Sequence, residues 1–127
     1  MTAKTFLTIS SIFAIIYGLS FLLAPKQSLA MYGSEPEPHL VIAVRFLGVP
    51  LLALGVVQWF SREFRDWEAI RAVLIAIALE NALTLLVNLW GTAHGLFNAV
   101  AWSTTIVSIV FLAGALYCLS TGRQRVA

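Results

Sequence analysis

Charge is the scarcest thing in this sequence. Lysine, arginine, aspartate and glutamate together make up 11% of its 127 residues, under half the share of about 25% usual in soluble domains. A water-soluble domain of this length needs more polar side chains to cover its surface, so the expected solvent is lipid. Cysteine is nearly absent as well. The single Cys118 can form neither an intrachain disulfide nor a cysteine metal cluster, and its apolar setting says nothing of compartment. Also missing are a Ser-His-Asp pattern, a phosphate loop, a dinucleotide fingerprint, HExxH and CxxC. These absences leave no catalytic residue, metal or cofactor to assign. There is no internal repeat, no low-complexity tract and no length for a second soluble module.

What the chain has instead is apolar length. Hydrophobic residues reach 60% and gather in four segments, about 5–23, 39–60, 69–90 and 95–119. Each is near the ~20 residues that cross a ~30 Å hydrocarbon core as a helix. Four strands cannot close a barrel, and an open sheet edge is not viable in lipid. The expected fold is therefore all-α, an integral membrane four-helix bundle forming a single membrane domain over residues 1–127. Lys4 before an apolar run, with Ser28-Leu29-Ala30 after it, imitates a signal peptide. The run of about 18 residues is longer than the roughly 7–15 of a signal core, so it reads as a retained span.

The basic residues orient the model. Lys4, Arg62, Arg65, Arg71, Arg123 and Arg125 fall at one end of a four-span arrangement, Lys26 at the other, and Arg45 within a span. By the positive-inside rule both termini face the cytoplasm. The net charge of +2 is thus a topology signal, and no nucleic-acid partner is expected. Pro25 is placed to start a short interfacial helix, about 26–32, that Gly33 ends. Asp66 is placed to cap the third span. Trp59, Trp67 and Tyr117 at one interface, and Tyr32 and Trp90 at the other, form an aromatic belt.

Two ridges of small or polar residues stand out. Ser10, Ala14 and Gly18 recur at four-residue spacing in the first span, where small side chains let helix backbones approach. In the third, Ala72, Ala76, Glu80, Thr84 and Asn88 recur likewise, with Leu74, Leu85 and Leu89 opposite them for lipid or leucine packing. Glu80 is the residue that packing does not explain. A carboxylate near the bilayer centre costs about 2.5–3.5 kcal/mol to insert, so it needs a partner or a task. Arg45, about 9 Å down the second helix, lies within reach of Glu80, about 16 Å up the third from the other side. The two are expected to pair, either as a structural ion pair or as the base of a ligand site. Asn81, Thr84 and Asn88 gather above Glu80, and Asn98 and Trp102 open the fourth span. Together with Arg45 and Glu80 they make up the candidate ligand-binding set. Pro50 is placed to bend the second helix beside it. His39 and His94, near Glu35 and Glu37, read as solvated loop residues rather than metal ligands.

Two stretches carry a resemblance. Tyr17-Gly18-Leu19-Ser20-Phe21-Leu22-Leu23-Ala24-Pro25 is followed by Leu29 and Gly33. Arg45-Phe46-Leu47-Gly48 is followed by Leu51-Leu52-Ala53-Leu54-Gly55, Trp59 and Arg62. This resembles the small bacterial four-helix membrane proteins of the DUF4345 family, and more loosely the DoxX-like proteins. The resemblance implies a multi-pass protein of the bacterial inner membrane and supplies no catalytic residue.

Short loops and the missing catalytic constellation favour a non-enzymatic accessory or interaction subunit of a membrane assembly. Its partners would be the lipid bilayer and other membrane proteins, or a second copy of the chain. The alternative is binding or transport of a small amphipathic molecule, such as a lipid or quinone, through the polar pocket. A lipid- or quinone-modifying enzyme ranks third. Reporter fusions test the orientation: those after Thr121 and within residues 62–66 are expected to read cytoplasmic and one after Gly33 external. A cytoplasmic reading at Gly33 would overturn it.

Overall fold

The computed structural model describes the backbone of residues 2–126 and the side chains of residues 2–121. The side chains of Arg123 and Arg125, counted in the basic bias, lie outside the described residues. The described chain is helical throughout: α1 (Ala3–Leu23), α2 (Pro25–Met31), α3 (Pro38–Ser61), α4 (Trp67–Ala93) and α5 (Ala101–Val126). All but the seven-residue α2 are long and apolar enough to cross a membrane.

Local chemistry sets the helix ends. The Thr2 hydroxyl accepts from the Thr5 N–H to start α1. Glu37 Oε2 accepts from the Leu40 N–H to start α3, and Asp66 Oδ1 accepts from the Glu68 N–H to start α4. These side chains satisfy donors that have no partner inside the first helical turn. Proline stands in the first turn of both α2 and α3, where its missing N–H costs nothing. Gly33, at φ +80°, ends α2 as the Ser34 N–H reaches back to the Leu29 carbonyl. The last span begins later than the apolar run suggests. Gly95 at φ +70° breaks the chain, the Leu96 N–H folds back to the Gly91 carbonyl, and α5 starts only at Ala101.

The four long helices associate as two pairs, α1 with α3 and α4 with α5, and the pairs touch each other sparingly. Glycine holds the first pair together. A Cβ on Gly18 would stand 2.6 Å from the Leu52 backbone nitrogen, one on Gly48 2.7 Å from the Gly18 carbonyl, and one on Gly55 2.9 Å from the Ile15 nitrogen. These are backbone-to-backbone contacts, available only where no side chain intervenes. Ser10, Ala14 and Gly18 are all buried, as their spacing predicted.

The two pairs join at the end where α1 begins. There Phe6 and Leu7 pack with Ile70, Leu74 and Ile77 of α4 and with Phe111, Ala115 and Cys118 of α5. Phe6 lies against Gly114, and its ring meets Phe111 edge-on at 6.1 Å. Lys4 and Glu63 bridge the same end at 3.4 Å. This corrects the expected face of α4. Leu74, assigned to lipid or leucine packing, is fully buried, while Ala72 and Ala76 are exposed. A strict four-residue ridge drifts about 40° per step around the helix, whereas the three-four alternation of Ile70, Leu74, Ile77 and Asn81 stays on one side.

Two measurements check this packing. Gly18→Leu is expected to destabilise the protein in detergent by about 1–3 kcal/mol, since its side chain meets backbone that cannot turn aside. Unchanged melting would place Gly18 on a free surface. Leu74→Ala is expected to cost about 2–5 kcal/mol, and Leu79→Ala, on the exposed face, far less.

Candidate functional site: a cleft between the helix pairs

Away from the shared core the two pairs separate, and two cavities of about 400 and 430 Å³ lie between them. Both are lined by Phe21, Tyr32, Leu47, Leu83, Thr84 and Thr104, so they adjoin as one elongated cleft. Its walls come from all four long helices. Ser10, Phe13, Ala14, Tyr17 and Phe21 of α1 face it at three- and four-residue spacing, as do Leu47, Leu51, Leu54 and Gln58 of α3. From the other pair come Glu80, Asn81 and Thr84 of α4 and Thr104, Ser108 and Phe111 of α5. Phe111 also belongs to the core that closes one end. Leu47 and Leu83 line the cleft while remaining about half exposed, at 54% and 52%, so it opens to the surroundings between α3 and α4.

The other end is latched by the loops. The Asn98 Nδ2 donates to the Met31 carbonyl at 3.0 Å, and its Oδ1 accepts from the Val100 N–H at 3.0 Å. Tyr32, just past α2, hydrogen-bonds through its hydroxyl to Thr104 of α5. Its ring meets Phe97 edge-on at 6.1 Å. The short α2 thereby ties the α1–α3 pair to α5.

Polar groups inside the cleft are few and incompletely partnered. Glu80 is half-buried, and the Thr84 hydroxyl one turn along α4 donates to its Oε1 at 3.1 Å. The Asn81 amide donates to the Ile77 carbonyl at 2.9 Å. Gln58 is 2% exposed and its Oε1 has no hydrogen-bond partner. Asn88, lining the upper cavity, has a buried Nδ2 in the same condition. A buried polar atom without a partner costs about 1–3 kcal/mol.

The expected Arg45–Glu80 ion pair is absent among the described residues. The three ion pairs there are Lys4–Glu63, Arg62–Glu63 and Arg71–Glu68. Depth along the helices did not settle rotation about them. Leu47 faces the cleft, and Arg45, two residues earlier, points about 200° around α3 from it. Arg45 is exposed and lines neither cavity. Of the other candidate residues, Glu80, Asn81, Thr84 and Asn88 do line the cleft. Asn98 serves the latch instead, and Trp102 is 51% exposed on α5. His94 stacks on Trp90 and bonds the Trp90 carbonyl, while Glu37 caps α3. Sequence reasoning missed Tyr17, Gln58, Thr104 and Ser108 and put Tyr32 in the interfacial belt. Gln58, alone among Gly55-Val56-Val57 and Trp59-Phe60, carried a signal of the same kind as Glu80.

No curated protein and no solved structure matches the chain. A family model does match, over residues 1–119, that of a domain of unknown function, DUF8292. This corrects the resemblance to the DUF4345 and DoxX-like proteins. The residues that carried it, mainly leucine, glycine and proline, are those any closely crossing pair of apolar helices uses. With all but its last eight residues matched, the chain belongs to the DUF8292 family.

Proposed function

We propose that this protein is a multi-pass membrane protein that binds or transports a small, largely apolar amphipathic molecule in the cleft between its two helix pairs. The observation that carries the reading is a large, mostly apolar cleft, open between α3 and α4, with Glu80 and Asn81 of α4 among its lining residues. Binding pockets are mostly apolar, with a few placed polar groups that orient the ligand. The lip at Leu47 and Leu83 faces outward from the helices, which suits entry of a molecule from the bilayer. In this reading the helices form a four-helix bundle in a bacterial inner membrane with both termini cytoplasmic. The gathering of Lys4, Arg62, Arg65 and Arg71 at one end supports that orientation.

Arg45 supports a second reading, an accessory subunit of a membrane assembly. It is exposed on an apolar helix with no counter-charge among the described residues. A charge in such a place normally has a partner, here an acidic group on another membrane protein.

Native mass spectrometry of the protein released from a mild detergent separates the two. A small-molecule adduct on the wild type, lost in Leu47→Trp where the indole fills the region common to both cavities, is the expected result. Absence of any adduct, with a protein partner held by the wild type and released by Arg45→Leu, would favour the accessory subunit instead.

A further inference from the structure

We propose that the molecule taken by the cleft is a lipophilic organic cation with Glu80 as its counter-ion, an inference that rests on the cleft being a ligand site. Glu80 sits in the lining with one hydrogen bond, from Thr84, and no cation within ion-pair distance among the described residues. All three ion pairs of the described residues gather near the turn between α3 and α4, so none supplies it. Neither cavity is lined by lysine, arginine or histidine. The negative charge therefore has no compensation from within the cleft, and a carboxylate that stays ionised in a low-dielectric site requires it.

The aromatic lining selects the same chemistry. Phe13, Tyr17, Phe21, Tyr32 and Phe111 line the cavity that holds Glu80. Aromatic faces attract cations, and more strongly where water is excluded. A carboxylate in a largely apolar cleft that aromatic side chains also line suits a cation whose charge is shielded by hydrocarbon. An anion of the same shape meets repulsion from Glu80 and no positive side chain.

Three probes of nearly equal shape test this: tetraphenylphosphonium, tetraphenylborate and neutral tetraphenylsilane. Each is measured by equilibrium dialysis against the full chain in nanodiscs of neutral lipid, with protein-free discs subtracted. The cation is expected to bind more tightly than the neutral compound, and the anion not at all. Glu80→Gln is expected to weaken the cation by about tenfold or more, as loss of one partner of a buried charge pair does, and to leave tetraphenylsilane unchanged. Neutral and cationic probes binding alike would overturn the cation and leave the amphipath reading standing. So would a cation that binds Glu80→Gln as well as the wild type. Failure of all three probes would bring down both readings. Should Glu80→Gln fail to fold, the three-probe comparison on the wild type decides alone.

Discussion

The approach of α1 to α3 is the contact on which the rest of this structure depends. Gly18, Gly48 and Gly55 bring two helix backbones close enough that a single methyl group would collide with main-chain atoms. In lipid, where apolar side chains gain nothing by leaving the surrounding hydrocarbon, such close packing is the main source of attraction between helices. It is spent here within one pair. The α4–α5 pair meets the first through a compact cluster at one end, around Phe6, Leu74 and Phe111. Beyond that cluster the pairs have few direct contacts, and the space between them is the cleft.

A cleft bounded by two separately packed pairs needs something to set its width. The core holds one end. The other is held by polar contacts, Asn98 to the Met31 carbonyl and Tyr32 to Thr104, and a Cβ on Gly33 would crowd the Asn98 amide at 3.1 Å. The short α2 thus acts as a strap from the first pair onto α5. It also places the Tyr32 ring in both cavities, so the same residue closes the cleft and lines it.

Inside, the polar atoms follow from how each helix is turned. On α4 the buried stripe from Ile70 through Leu74 and Ile77 fills the core, and about one and three turns on it becomes Asn81 and Asn88, with Glu80 and Thr84 alongside. One helix therefore supplies apolar packing at one level and cleft chemistry at the next. On α3 the glycine stripe faces α1, Leu47 and Gln58 face the cleft, and Arg45 faces away from both.

Scarce charge and four apolar runs near bilayer length were enough to establish the four long helices, because composition and length alone decide whether a helix can cross a membrane. The short α2 was legible from Pro25 and Gly33, and the small-residue contact of α1 from the spacing of Ser10, Ala14 and Gly18, since both are properties of one segment. Four candidate cleft residues on α4, Glu80, Asn81, Thr84 and Asn88, could be read in the same way as polar groups in an apolar run. What only the tertiary structure decided was rotation and pairing. Whether Arg45 meets Glu80, which side of α4 is core, and which of Tyr17, Gln58, Tyr32 and Thr104 share a cavity all depend on the angle at which each helix presents itself to its neighbours. That angle is set by contacts between segments distant in sequence, and an offset of two residues turns a side chain about 200° around its helix, from the cleft to the outer surface.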